Sequence, residues 1–368
     1  MKFVHLLICF GLCLTLMSCI RDEAPNAEAD IVSCTLPSDI LKRDPIIENA
    51  KITITVNPEA DLKHLAPVFE LTPGATISPA SGTALDFTSP QYYTVTSEDK
   101  NWTKKYEVIC ILSGSITDYH FENVKTYTNT LLKYTYDILF ENDENGNWSM
   151  DWASGNAGFA LTGSGNMDVT SFPTSSTTEG KEGKGLKLVT MSTGDFGKKV
   201  GMPIAAGNLF MGWFDVASAM INPLKATKLG VPCSYVPLYL KGYFKYKAGD
   251  VYKDVDGNIY NNVKDKWDIY AIFYETDDSV RIIDATTRFT NSHLVSIARL
   301  NDSERVESSE WKEFYLPFVT IAGRTVDEEK LKAGKYNVAI VLSSSLDGDT
   351  FKGAVGSTLY VDELELIH

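Results

Sequence analysis

A chain of 368 residues with 44% hydrophobic and 11% aromatic content has ample material for hydrophobic cores, which excludes wholesale disorder, and its length is that of two or three domains. The formal charge is −14 and no long lysine or arginine run occurs, so nucleic acid is not an expected partner. The histidines fall at His5, His64, His120, His293 and His368, and no HExxH, CxxC or GxSxG occurs; the common zinc-protease and serine-hydrolase templates are excluded, and no cofactor fingerprint is present.

Residues 1–18 carry one positive charge, Lys2, and then an apolar stretch too short to span a bilayer, which is the layout of a signal peptide. The stretch closes on Leu16-Met17-Ser18-Cys19, which resembles a bacterial lipobox. That resemblance implies cleavage before Cys19, a diacylglycerol on its thiol, and attachment to the membrane by acyl chains rather than a helix. The competing reading is an ordinary secretory peptide with a chance cysteine. Ile20-Arg21-Asp22-Glu23 resembles the short acidic signal that sends Bacteroidetes lipoproteins to the outer leaflet, which implies an outer-membrane, surface-exposed location. Residues 19–30 read as a flexible tether. Loss of residues 1–18 removes Lys2 and no acid, so the mature chain is one unit more negative, and it keeps Cys34, Cys110 and Cys233 beside Cys19, too few for a disulfide framework.

Residues 31–113 alternate with period two. Ile52, Ile54 and Val56 make one apolar face, and Tyr106, Val108, Cys110 and Leu112 another. Turn clusters at Asn57-Pro58, Thr72-Pro73-Gly74, Ser78 to Gly82 and Ser97 to Asn101 give the short strands of an immunoglobulin-like β-sandwich. Cys34 is in phase with Val32 and Leu36, and Cys110 with Val108 and Leu112, so both thiols are expected inside; a bridge and two free buried thiols both remain open. The string from Leu62 through Leu65-Ala66-Pro67, Gly74 to Gly82, Asp86-Phe87 and Tyr93 to Asp99 resembles the immunoglobulin-like modules that precede functional domains in Bacteroidetes surface lipoproteins. The resemblance implies a spacer, and no polar groups converge here to suggest chemistry.

Residues 114–368 read as one larger β domain. Strands are expected at 185–190, 238–246, 267–274, 313–319, 336–342 and 359–366, and one short helix at 325–333, with Thr325 and Glu328 as a capping box and Gly334 at the left-handed position after it. Phe121-Glu122-Asn123, Gly183 to Leu188, Trp311-Lys312-Glu313-Phe314 and Leu359 to Leu366 resemble a carbohydrate-binding-module jelly roll. More specifically, Ser343 to Asp362, with Trp152 to Asn156, Gly207 to Gly212 and Gly242 to Tyr246, resembles the putative carbohydrate metabolism domain family over residues 118–368. The fold class is therefore all-β, an immunoglobulin-like sandwich followed by a jelly roll, and the resemblance implies carbohydrate as the ligand class without fixing an activity.

Sugar recognition needs flat aromatic faces and amides or carboxylates in one cleft. Trp148-Ser149-Met150-Asp151-Trp152 with Asn156 supplies both kinds of group, preceded by a turn-rich stretch from Asn142 to Asn147, and is the leading carbohydrate-binding candidate. The competing reading has Trp152 plugging the core and Trp148 capping a loop. Trp213 is a second candidate, with core packing as its alternative. Glu122 and Asp362 lie near the two ends of the domain; in related carbohydrate-binding modules the corresponding carboxylates hold a structural calcium ion, so these two are the metal candidates, against ordinary hydrogen-bonded carboxylates. Asp254 to Tyr260, with Asp265 at the twelfth position, superficially resembles an EF-hand loop, but Ile259 stands where that loop needs glycine, and Asp256-Gly257 reads as a hairpin turn. His120 and His293 have no obvious partner for catalysis.

The expectation is a membrane-anchored surface lipoprotein whose jelly roll binds an oligo- or polysaccharide noncovalently. The enzymatic alternative is a glycoside hydrolase, with Asp151 and Asp268 as its carboxylate pair. A third class is a structural or adhesion protein with no affinity for sugar.

Overall fold

The computed structural model of the protein describes residues 24–368 except 43, 48, 58, 59, 113–116, 144, 145 and 220. Cys19, with the segment before it expected to be a signal peptide and Ile20 to Glu23 after it, lies outside the described residues. The described chain is built round two hydrophobic cores, one drawn from residues 29–110 and the other from 119–366.

The first domain contains β1 (Ile31–Thr35), β2 (Ile46–Ile47), β3 (Lys51–Val56), β4 (Val68–Leu71), β5 (Thr76–Ser78), β6 (Gln91–Thr96) and β7 (Thr103–Leu112). β1 pairs with β4, and the second sheet runs β2-β3-β7-β6-β5. Alternation drives the packing: Ile52, Ile54 and Val56 of β3 and Tyr106, Val108 and Cys110 of β7 are buried together. β3 and β7 run parallel, from Lys51 opposite Glu107 to Val56 opposite Leu112. Cys34 and Cys110 are buried and free, and burial pushes the Cys34 thiol up to about 12, so both act as small apolar side chains. A bulge between Ile31 and Ser33 shifts the phase of β1, which is why Val32, expected inside with Cys34, is exposed.

The second domain begins with β8 (Asp118–Tyr119), β9 (Asn123–Asn129), β10 (Tyr134–Asn142), β11 (Trp148–Asp151), α1 (Asn156–Ala160), β12 (Thr174–Thr177), β13 (Gly185–Val189) and α2 (Gly194–Lys199). It continues through β14 (Asn208–Phe210), β15 (Gly212–Phe214), α3 (Val216–Ala219), α4 (Pro223–Ala226), β16 (Thr227–Leu229), β17 (Tyr239–Lys247), β18 (Asp268–Glu275), β19 (Ile283–Asp284) and β20 (Leu294–Arg299). It ends with β21 (Ser308–Pro317), α5 (Glu328–Lys332), β22 (Tyr336–Ser343) and β23 (Thr358–Ile367). One sheet runs β12-β13-β23-β17-β21, with β8 added to β23. The other runs β14-β22-β18-β20, with short additions at Val231–Pro232 and Val319–Thr320. β9, β10 and β11 form a smaller sheet, as do β15, β16 and β19.

The two main sheets are apolar towards each other. Leu240, Phe244 and Tyr246 of β17 and Leu359, Val361, Leu364 and Leu366 of β23 join one core with Trp267, Ile269, Ala271 and Phe273, and the rings of Trp267 and Phe244 lie 4.1 Å apart. β21 starts at Ser308 rather than the expected 313, which brings Trp311 into the sheet. The helix expected at 325–333 is shorter because Asp327, not Thr325, caps it, accepting from the N–H groups of Glu329 at 2.9 Å and Lys330 at 3.1 Å. Gly334 takes the left-handed conformation, with φ of 66°.

The segment with EF-hand spacing is a turn. Asp254 accepts from Asp256 N, Asn258 N and Nδ2, and the Tyr260 hydroxyl. Asp265 instead is buried, its Oδ2 accepting from Ser345 Oγ (2.6 Å), Ser357 Oγ (2.7 Å) and Ala354 N (2.8 Å), which ties residues 345–357 to the domain. Gly353 is required in that clasp, because a β-carbon there would stand 2.9 Å from Asp265 Oδ2.

Candidate functional site

β14, β22 and β18 lie side by side in register, so their positions turned away from the core form rows. Asn208, Ser343 and Asp268 make one row; Phe210, Val341 and Tyr270 make the next. Over these rows α1, α2, the β15–α4 segment and the 345–357 loop leave a cleft of about 190 Å³. Its walls are mostly apolar, with Phe196, Phe214, Phe351, Val200 and Leu224 among them. Gly158 permits the approach of Phe214, whose ring would lie 3.0 Å from a β-carbon at that position. Phe351 has φ of 58°, a left-handed conformation that strains an aromatic residue and that the neighbouring clasp on Asp265 holds in place.

The polar groups gather round Tyr270. Burial pushes its hydroxyl well above the usual phenol range, and Arg288, Asp268, Asp349 and Arg299 all act on it electrostatically. Asp268 is fixed by two guanidinium groups: Oδ1 accepts from Arg305 Nη2 at 2.7 Å and Nε at 3.3 Å, and Oδ2 from Arg299 Nη2 at 3.2 Å. Arg288 donates to the Ala285 carbonyl and to Asp349 Oδ2. Phe289 braces the arginines, its ring centroid 4.2 Å from the Arg299 guanidinium, 4.9 Å from that of Arg288 and 4.8 Å from the Tyr270 ring. The two cleft carboxylates differ in access: the Asp268 side chain is 6% exposed and that of Asp349 28%.

The groups of the aromatic-amide cluster expected at 148–156 are each engaged in packing with a different partner. Trp152 is buried between Tyr119 and Phe121, with ring centroids 5.4 and 5.5 Å away, and its indole N–H donates to Glu141 at 3.0 Å. Trp148 is buried outside both main cores, on a strand that touches β7 of the first domain, and its N–H donates to Asp151 at 2.9 Å. Asp151 also accepts from Lys125 at 2.8 and 2.9 Å. The Asn156 side chain is wholly buried and exchanges hydrogen bonds with the backbone of Thr174 at 2.8 and 3.1 Å, pinning α1 to β12. None of these rings offers an open face for a pyranose. Trp213 is half-buried beside Lys228 on the neighbouring strand and does not line the cleft; its neighbour Phe214, one position on, does.

The pair proposed for hydrolysis is likewise not assembled, since Asp151 belongs to the β11 ion pair and Asp268 to the cleft's arginine clamp. His120 pairs with Glu363 at 2.9 Å and His293 with Asp277 at 3.0 Å, so both have partners that the sequence did not reveal.

Glu122 and Asp362 do converge on one turn, but as acceptors for its N–H groups. Asp362 Oδ2 accepts from Lys181 N at 2.7 Å and Glu182 N at 3.1 Å, and Glu122 Oε1 accepts from Lys184 N at 3.0 Å. Burial raises the Asp362 carboxyl to about 6, and its Oδ1 has no partner. One orphan oxygen falls short of the six to eight that calcium takes, and among the described residues no three His, Cys, Asp or Glu side chains converge to hold a metal. The pair does not fit a calcium cage; it anchors the 181–184 turn.

Sequence reasoning missed Phe196, Phe214, Arg288, Asp349 and Phe351. The available signal was the polar run Ser343 to Asp349 ahead of Phe351, a loop composition next to a predicted strand. Arg288 carried no local signal.

The family described as "Putative carbohydrate metabolism domain" matches residues 120–367, and the one described as "SGBP, N-terminal" matches residues 31–110. Two crystal structures are similar to this chain along nearly their whole length. A putative glycoside hydrolase from Bacteroides thetaiotaomicron is 53% identical, with a TM-score of 0.80, the match covering 95% of this chain and 99% of that one. A putative glycoside hydrolase from Bacteroides vulgatus is 46% identical, with a TM-score of 0.65, the match covering 69% of this chain and 99% of that one. No curated protein matches.

Proposed function

The chain belongs to the putative carbohydrate metabolism domain family, and from that premise we propose that it is a cell-surface protein that binds glycan noncovalently in the cleft over β14, β22 and β18, with the first domain as its spacer. The observation that carries this reading is the union, in one cleft, of aromatic walls (Phe196, Phe214, Phe351) with the polar groups of Tyr270, Arg288 and Asp349. Aromatic faces suit the C–H side of a pyranose, and a guanidinium beside a carboxylate suits its hydroxyls. The amino-terminal match supports the surface location, and the lipobox-like Cys19 supplies the anchor in this reading.

Glycan-array binding by the full chain, followed by calorimetry on the best hit, tests the site. Phe214→Ala and Asp349→Asn are each expected to weaken binding about tenfold, the effect of losing roughly 1.4 kcal/mol. Unchanged affinity in both variants would remove the cleft as the site.

One observation favours a second reading, hydrolysis. Two carboxylates, Asp268 and Asp349, line the same cleft, and the similar crystal structures carry the name glycoside hydrolase. Against it, Asp268 has both oxygens held by arginines and hardly any exposure. Chromatography of a polysaccharide panel after incubation with the protein separates the two: intact polymer is expected, whereas fragments that vanish with Asp349→Asn would establish turnover.

A further inference from the structure

The face of the β12-β13-β23-β17-β21 sheet turned away from the core carries aromatic rings with lysines laid over them. Lys245 Nζ lies 4.6 Å from the Trp311 ring centroid and 4.8 Å from that of Tyr360. Lys187 Nζ lies 5.6 Å from the Tyr360 ring, and Lys181 Nζ 4.1 Å from that of Tyr243. Strand register places these groups together, since Tyr360 of β23 stands opposite Lys245 of β17 on one side and Lys187 of β13 on the other. All of them are half-exposed. Among the described residues, none of Lys181, Lys187, Lys245 and Lys247 lies in an ion pair with a carboxylate, whereas neighbouring Lys241 and Lys264 are paired with Glu365 and Glu307. These lysines have no ion-pair partner among the described residues of a chain of net charge −14, although carboxylates stand nearby: Glu307 acts electrostatically on Lys247, and Glu179 and Asp250 lie beside the strip. The strip leads into an open groove of about 970 Å³, lined by Lys245, Lys247, Tyr360, Asn261 and Asn262.

We propose that this face is a second glycan site, separate from the cleft, and that it takes an acidic polysaccharide whose pyranose rings carry carboxylates. In this reading Lys245 and Lys187 swing off the rings to meet the carboxylates, which frees the faces of Trp311 and Tyr360 for the sugar rings, and Asn261 and Asn262 are hydrogen-bonding groups in the groove. Charge density chooses the occupant: a neutral chain leaves the ammonium groups unused, one carboxylate per ring can be set on Lys245 and Lys187 clear of Glu179, Asp250 and Glu307, and a chain with several sulfates per ring must bring charge against those three carboxylates as well. The proposal does not rest on the cleft reading, and either site can fail alone.

The test is affinity electrophoresis and calorimetry of the full chain against polygalacturonate, with a neutral galactan and dextran sulfate as comparison polymers. Polygalacturonate is expected to bind most tightly, to weaken as salt rises, and to lose about tenfold in affinity in Lys245→Gln and in Trp311→Ala. Unchanged thermal melting of both variants separates a lost contact from a lost fold, and Lys187→Gln serves in place of either variant that melts early. Binding is expected to persist in Asp349→Asn, which alters only the cleft. Absence of polygalacturonate binding, equal or tighter binding of the galactan or the dextran sulfate, or affinity unchanged in the strip variants would overturn the proposal.

Discussion

Asp268→Ala is expected to destabilise the second domain by about 3–5 kcal/mol, the usual cost of removing one partner from a buried ion pair. Arg305, as buried as Asp268, would keep its charge with no carboxylate in reach of the two bonds it now makes, and Arg299 would lose its partner as well. The damage should reach the cleft, because Arg299 and Arg288 flank Phe289, which packs on Tyr270. Urea unfolding of the wild-type and variant proteins measures the loss. Replacing both buried charges, as in the Asp268→Leu/Arg305→Met double variant, is expected to recover much of it, since two apolar groups of similar volume leave no buried charge stranded and Arg299, 39% exposed, can turn to water. A loss below about 1 kcal/mol for Asp268→Ala would mean that the arginines find water or new partners at little cost.

The second large effect is a pH dependence centred on Glu141. Its side chain is buried under Trp152, and burial raises its carboxyl to about 7, although bonds from the Trp152 indole and the Phe121 amide pull the other way. In the unfolded chain the same group loses its proton near pH 4.5. Between those values the folded state holds a proton that the unfolded state does not, so the contribution of this group is greatest below about pH 4.5 and is lost as pH rises through 7. The full loss is about 3 kcal/mol on the scale of 1.36 kcal/mol per pH unit. Urea unfolding at pH 5, 6, 7 and 8 should show that decline, and Glu141→Gln, which keeps an acceptor for Trp152 and carries no charge, should remove its upper part, leaving the part owed to Asp362, whose carboxyl is raised to about 6. A slope between pH 6 and 8 unchanged in Glu141→Gln would mean that Glu141 keeps its charge throughout.

The sheets were legible because their strands carry apolar residues in strand-length runs. Residues 239–247 alternate strictly, 336–343 are buried almost throughout, and 358–367 alternate with one shift of phase after Val361; each was foreseen to within a residue or two. The same rule, applied to β11, contained a warning about Trp152, which shares a phase with Met150 and joins it in the core. Trp148 lies at i−2 from Met150 but a bulge puts it on the other face beside Asp151, which the period alone does not foretell. Reading the stretch as a loop rich in binding groups gave weight to its composition and none to its period. Asn156 misled in another way, since a wholly buried amide that bonds both backbone groups of Thr174 has the composition of a ligand contact and the role of a fastener. The cleft itself had no local signature. Its walls come from residues 196, 214, 270, 288, 349 and 351, each ordinary in its own segment, and only the pairing of β14, β22 and β18 brings them to one place.

The parallel pairing of β3 with β7, and the addition of β8 to β23, set the order in which this protein can come into being. The first domain closes only when residues 103–112 reach residues 51–56, and the second only when residues 358–367 return to residues 118–119. Each domain thus stays open until its own final strand has been made and delivered. Contacts so distant along the chain fold slowly, on the scale of milliseconds to seconds. A chain exported across a membrane would therefore emerge with its edges unpaired and complete itself on the far side, first the near domain, then the distal one, and escort proteins that shield exposed strands would have their longest task in the interval before residue 358 arrives.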